Sequence, residues 1–286
     1  MDYNSYMSGR KEGLPVIYSA HHAASVFPGG FANRTALSPI QQLRLSDYGT
    51  SVTEPRNGIS TIVSKVSRGL VDLNRQPPQT ASLDLDDTTL HREHDFDGNL
   101  IWRPGQETTL QERALLRRLF YDTYHDRILS GIKTFNKPGF VVGWDNTAHK
   151  ELGKDEVGDP MMMKAFILSN KGAENRGDNP NEMTTCDPEF LTELAFQLAR
   201  ALRLLNLPDE VRLNYVYKGG YIPEHYNTRR HPDIISSPYG VQSFQVEYDT
   251  LLTHDQDTLK ENPRNMILLR RAFEIAMHQT YLNYVV

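Results

Sequence analysis

The apolar positions of this chain fall into short runs that alternate with longer stretches of helical periodicity. Residues 14–20 (Leu-Pro-Val-Ile-Tyr-Ser-Ala) read as a short buried strand that delivers His21 and His22 at its end. Residues 59–66 and 69–73 read as a second strand region carrying Arg68 and Asp72. Further strands are expected at 139–144, ending at Asp145, and at 162–168, 211–217 and 241–248. Thr109 and Glu112 form a capping box, and Leu115, Leu116, Leu119, Phe120, Tyr124, Ile128 and Ile132 continue that helix. Asp187-Pro188 and Asn262-Pro263 each set a cap before a proline, opening helices that run to 205 and to about 281. Such alternation predicts an α/β fold, a mixed, mainly parallel central sheet with helices on both faces. In sheets of this kind ligands bind at the carboxyl ends of the strands. His21, Asp145, Lys218 and Glu247 all fall at or near such ends.

Between 76 and 105 the pattern gives way to a long polar loop holding Asp84, Asp86, Asp87, His91 and His94. Loops of this length in compact domains are usually functional or mobile. No internal repeat or low-complexity linker interrupts the chain, so residues 1–286 read as one domain with a flexible stretch at 1–13.

Composition narrows the function classes. The 286 residues suffice for a substantial core, and 38% hydrophobic with 23% charged residues is ordinary for a globular protein. A net charge of −5 and the lack of a long basic run argue against nucleic acid and anionic membrane as partners. The single Cys186 excludes an intramolecular disulfide and a cysteine-rich metal site. The polar start of the chain does not read as a signal peptide, and no run approaches the ~20 apolar residues of a membrane span. The expected setting is the cytoplasm and the expected partner a small-molecule substrate. Whether the chain forms a homo-oligomer is left open.

Chemistry concentrates in a few places. Neutral imidazoles at His21-His22 suit zinc, which takes a tetrahedral set of His and carboxylate with one open position. Asp47 alone would be an ordinary turn residue. Arg68 with Asp72 four residues on could be a structural ion pair. Gly219-Gly220 permits a tight backbone approach beside Lys218, Tyr221 and His225. The strand from Val241 ends in Glu247, which is placed to act as a catalytic base rather than a solvated edge residue.

Four stretches together carry a resemblance: Ile17-Tyr18-Ser19-Ala20-His21, Ser46-Asp47-Tyr48-Gly49-Thr50, Ser67 through Arg75 (ending Asp-Leu-Asn-Arg), and Tyr217 through Tyr226 followed by Gly240 through Glu247. They resemble the motifs of the N-formylglutamate amidohydrolase family, zinc-dependent deformylases, over residues 14 to about 276. The resemblance implies a zinc exopeptidase-like fold and hydrolysis of N-formyl-L-glutamate to formate and L-glutamate, closing one route of histidine degradation. It implies zinc held by His21, with His22 as the alternative, by Asp47, and by a histidine after the fourth strand region. At that last position the ungapped residue is Thr147, and a shift of two residues brings in His149. Glu247 becomes the general base, Arg68 the oxyanion group, and Asn74, Arg75, Lys218, Gly219, Gly220, Tyr221 and His225 the substrate wall. Tyr124-His125 also matches and is read as packing. Where the family carries an arginine before the His-Tyr pair, this chain has Glu224, with Arg229 and Arg230 nearby. That leaves two rivals: an amidase or carboxypeptidase for another N-acyl amino acid or short peptide, and a metal-free binding protein.

Overall fold

The computed structural model describes residues 6–8, 13–77, 90–154, 158–233, 235 and 237–285. Asp84, Asp86 and Asp87 lie outside the described residues, as does most of 1–13. Among the described residues nine strands are formed: β1 Tyr6–Ser8, β2 Leu14–Ala20, β3 Gly58–Val63, β4 Gly139–Thr147, β5 Glu151–Lys154, β6 Pro160–Met162, β7 Phe166–Ser169, β8 Val211–Leu213 and β9 Val241–Asp249. Seven of them build one sheet in the order β1-β3-β2-β4-β9-β7-β8, and β5 pairs with β6 in a separate hairpin. The contiguous β3-β2-β4-β9 core is parallel, β1 and β7 run against it, and β8 follows β7. The mixed, mainly parallel sheet expected from the pattern is therefore present.

The helices are α1 Pro39–Leu45, α2 Thr50–Thr53, α3 Leu110–Leu116, α4 Thr123–Ile132, α5 Pro188–Leu204, α6 Tyr221–His225 and α7 Pro263–Val285. A π segment, Arg117–Asp122, joins α3 to α4. Side chains alternate across the strands and feed two cores. Val16, Tyr18, Phe140, Val142, Trp144, Phe244 and Val246 pack under α5 and α7. Ile17, Ile62 and Val141 pack with Leu116, Phe120, Tyr124 and Ile128 on the opposite face. Both faces of the sheet are thus covered.

Three expected strands differ in the structure. Residues 69–73 form turns, because Ser67 captures their amides: its Oγ accepts from Gly69 N and its carbonyl from Leu70 N and Val71 N. Residues 211–217 stop being a strand at Leu213, since Asn214 and Val216 take positive φ values of 49° and 60°. Residues 162–168 divide between the end of β6 and β7. Helix α1 carries a signal that the pattern reading passed over, Ser38-Pro39 with Gln41 completing a capping box. No helix among the described residues is long and apolar enough to cross a membrane.

Candidate active site

Strand parity assembles the site. Ser19 and His21 continue the β2 face that carries Ile17, while Gly143, Asp145 and Thr147 continue the face of Val141. Gln245 and Glu247 lie on the matching face of β9, in register opposite Gly143 and Asp145. A period of two therefore lines up His21, Asp145, Thr147, Gln245 and Glu247 at one end of the sheet. A cavity of about 740 Å³ opens there, lined among others by His22, Arg68, Arg75, Thr147, Tyr217 and Glu247.

At its floor two histidines are fixed through one nitrogen each. His21 Nδ1 is 3.0 Å from the Ser19 carbonyl, and its Nε2 is 2.9 Å from Asp145 Oδ2. His22 Nε2 is 2.7 Å from Asp72 Oδ1, while its Nδ1 is 3.5 Å from both Asp47 Oδ2 and Asp145 Oδ1. His21 Nε2, His22 Nδ1 and Asp145 Oδ1 are buried without a hydrogen-bond partner. Burial lowers the His21 pKa, against the pull of Asp145. A neutral His21 that donates from Nδ1 to Ser19 turns a lone pair, not a proton, toward the Asp145 carboxylate. Two acceptors facing each other in a dry site call for a cation. Ligand atoms of His21, His22 and Asp145 lie within 4.8 Å of one another, so this group could hold a metal ion. The anchoring of the opposite nitrogens by a carbonyl and a carboxylate is the support that metal-bound imidazoles usually have.

The surrounding charges are unevenly compensated. Burial and Arg68 would lower the His22 pKa, yet Asp72 and Asp145 raise it to about 10. Burial and the Asp145 charge raise Asp47 to about 7, against His22 and Arg68. Arg68 is 3.1 Å from Asp72 Oδ2 and 3.6 Å from Asp47 Oδ1, and Phe96 lies 5.0 Å from its guanidinium carbon. Glu247 is buried and accepts from Thr147 Oγ1 at 2.7 Å and Gln245 Nε2 at 2.8 Å. Burial, then the charges of Asp145 and Asp47, hold its pKa well above the usual carboxylate range.

Gln245 ties these parts together. Its Nε2 also donates to Asp145 Oδ2 at 2.7 Å, and its Oε1 accepts from Gly220 N at 2.7 Å. Asn74 Oδ1 accepts from Ile222 N, and a Cβ on Gly220 would collide with the Asn74 amide, so a glycine is required for that approach.

The sequence-derived residues separate into groups. His21 and Asp47 lie at the cluster or beside it, and Arg68, Asn74, Arg75, Lys218, Gly219, Gly220 and Glu247 line the cavity. His149 lines its mouth, where Nδ1 pairs with Asp249 Oδ2 at 2.5 Å, and it does not join the cluster. His22 and Asp145 occupy the cluster instead. Tyr221 and His225 stack on each other at 4.9 Å in α6, away from the cavity lining. His125 is buried, with Nδ1 2.6 Å from the Tyr226 hydroxyl and Nε2 3.1 Å from the Leu73 carbonyl. Glu224 pairs with Lys171 and Arg230, and Arg229 with Asp187. The sequence places Asp145 at a strand end and Gln245 within the last motif but gives neither a role, because their meeting depends on the register of β4 against β9.

The fold and site define an α/β protein with an open polar cleft over a buried His-Asp group suited to a cation. The profile of the N-formylglutamate amidohydrolase family matches residues 14–236, and the chain belongs to that family. N-formylglutamate deformylase of Pseudomonas aeruginosa is 26% identical over 185 residues, which is 64% of this chain. The match spans 61% of the length of that curated relative. The crystal structure of N-formylglutamate amidohydrolase from Ralstonia eutropha superposes with a TM-score of 0.69 at 17% identity, covering 98% of this chain and 97% of that one. A gene product of Agrobacterium tumefaciens superposes with a TM-score of 0.58 at 14% identity, covering 98% and 94%. Both share the fold.

Proposed function

We propose that the protein is a zinc-dependent hydrolase of small N-formyl or N-acyl amino acid amides, with N-formyl-L-glutamate as the leading substrate and formate and L-glutamate as products. The observation that carries this reading is the convergence of buried, unpartnered His21 Nε2, His22 Nδ1 and Asp145 Oδ1 beside a cleft with an elevated Glu247. His21, His22 and Asp145 would hold the metal, with Asp47 adjoining. When bound, zinc supplies a Lewis acid for the amide carbonyl and makes a water acidic enough to attack near neutral pH. Glu247 takes a proton from the attacking water and passes it to the leaving nitrogen. Thr147 and Gln245 hold its two oxygens in place for both transfers.

Substrate choice follows from the cations of the cleft. Arg75 and Lys218 line it, and Arg75, half-exposed, is held only loosely by Asp72 at 3.8 Å. They suit the two carboxylates of an N-acyl dicarboxylic amino acid. Glu224, the departure that raised doubt about glutamate, is engaged by Lys171 and Arg230 outside the lining. The metal-free rival draws on Thr147, which stands where the family motif has a histidine. Elemental analysis and a hydrolysis assay on N-formyl amino acids test the reading. About one zinc per chain with release of formate is expected. Failure to bind zinc when it is added would hand the case to the rival.

A further inference from the structure

The connection from β8 to α6 carries Asn214 at φ 49°, Val216 at φ 60° and Gly219 at φ 95°. Asparagine and glycine enter the left-handed region readily, but a β-branched valine there is strained. The strain is held in place from both sides. Asn214 N donates to the Leu168 carbonyl at 2.8 Å, and Ser169 Oγ donates to the Tyr217 carbonyl at 2.6 Å. Lys171 N donates to the Lys218 carbonyl at 2.9 Å, and Gly220 N to Gln245 Oε1 at 2.7 Å. Strain maintained by surrounding structure clusters at functional sites. What this segment delivers is Tyr217, directly after Val216, into the cavity wall beside Thr147 and Glu247.

The cation of the proposed function would polarise the substrate carbonyl, and a hydrogen-bond donor on the same oxygen would add to that stabilisation as charge develops on it. Arg68, the residue with that role in the sequence reading, lines the same cavity but is drawn toward Asp72 at 3.1 Å and Asp47 at 3.6 Å. Tyr217 lines the cleft beside Thr147, and because the Thr147 proton goes to Glu247 Oε2 at 2.7 Å, the phenol proton rests on Thr147 Oγ1 until a substrate oxygen takes that place. We infer that Tyr217 is a further catalytic residue, donating a hydrogen bond from its phenol to the substrate carbonyl oxygen in the transition state, and that strain at Val216 sets its position. The proton stays on the phenol throughout, so no group is oxidised, reduced or ionised by this contact. Burial, with the neighbouring Glu247 charge, raises the Tyr217 pKa and keeps it a donor.

The inference rests on the hydrolase reading, and the experiment separates the two. Zinc-loaded wild type, Tyr217→Phe and Val216→Gly are compared for kcat, KM and Tm on N-formyl-L-glutamate and a panel of N-acyl amino acids. Tyr217→Phe should lower kcat about a hundredfold, the usual loss for one oxyanion donor, with KM changed less than about threefold and Tm unchanged. Val216→Gly should lower kcat without lowering Tm, since glycine accepts the positive φ but frees the tyrosine. Wild-type kcat in Tyr217→Phe, a loss confined to KM, or full kcat in Val216→Gly overturns the assignment while leaving the hydrolase reading intact. A wild type inactive on the whole panel overturns both.

Discussion

Asp72 and Glu247 are both buried carboxylates, one behind the His22 and Arg68 of the cleft and one in its lining, yet their surroundings act on them in opposite directions. Asp72 has no exposed surface and is met by His22 at 2.7 Å, Arg68 at 3.1 Å, Arg92 at 3.4 Å and Arg75 at 3.8 Å. Burial would raise its pKa, but Arg68 and His22 hold it well below the carboxylate range. Glu247 meets the neutral donors Thr147 and Gln245, and burial with the charges of Asp145 and Asp47 pushes it up. One carboxylate is a fixed anion that orients a histidine and an arginine. The other is pushed toward its protonated form. A pair of groups driven apart in this way is what the proposed acid-base role of Glu247 would require.

The largest break in that comparison comes from removing the group that Asp72 orients. His22→Ala should abolish stoichiometric zinc binding and with it turnover, whereas His149→Ala, which deletes a partner of Asp249 at the mouth, should keep both. Elemental analysis of the two purified variants decides between the inner and the outer histidine; retention of zinc in His22→Ala would return the ligand role to His149. Next is the base. Glu247→Gln keeps the hydrogen-bonding shape but cannot accept a proton, so kcat should fall by about 10²–10⁴ with zinc still bound. Near-normal turnover would exclude Glu247 as the base.

Asp72→Asn tests the other member. It leaves Arg68 buried without its closest counter-charge, a change that typically costs about 3–5 kcal/mol. Chemical denaturation should register that loss as a lower midpoint at an unchanged slope. A variant as stable as wild type would mean that Asp47 or another anion carries Arg68 equally well.

How much of this was legible beforehand depends on what each element asks of the chain. Strands β2, β4 and β9 are long, apolar and centrally paired, and the pattern located them to within a few residues. The family resemblance located Arg68, Asn74 and Glu247, which line the cleft. Residues 69–73 and 214–217 look like strand because Leu70, Val71, Leu73 and Val216 are apolar, but Ser67 and the positive φ at Val216 send the backbone elsewhere. Periodicity does not encode such side-chain-to-backbone bonds. The same limit applies to the histidines: the family motif, shifted by two residues, suggested His149, while the choice between an inner and an outer imidazole depends on β4–β9 register and on which nitrogen finds Asp72 or Asp249.

Glu54 sharpens the comparison from outside the cleft. It is buried, its Oε2 has no partner, and burial raises its pKa to about 8 despite Arg56, Arg270 and Lys65. It resembles Glu247 in elevation but not in place, since it does not line the cavity. An elevated carboxylate without a cleft should therefore act on stability alone. Between the ordinary glutamate pKa of 4.5 and about 8 the folded chain keeps a proton at Glu54 that the unfolded chain releases. Stability contributed by that proton is complete below the lower value and is lost as pH rises through the window. Glu54→Gln mimics the protonated form and should remove that loss, gaining about 1–3 kcal/mol at pH 8–9 and nothing at pH 4. Thermal unfolding from pH 4 to 9 reads it directly. If the two proteins lose stability in parallel as pH rises, Glu54 is ionised in the fold, and burial alone does not suffice to hold a carboxylate protonated in this protein; kcat should be the same in both throughout.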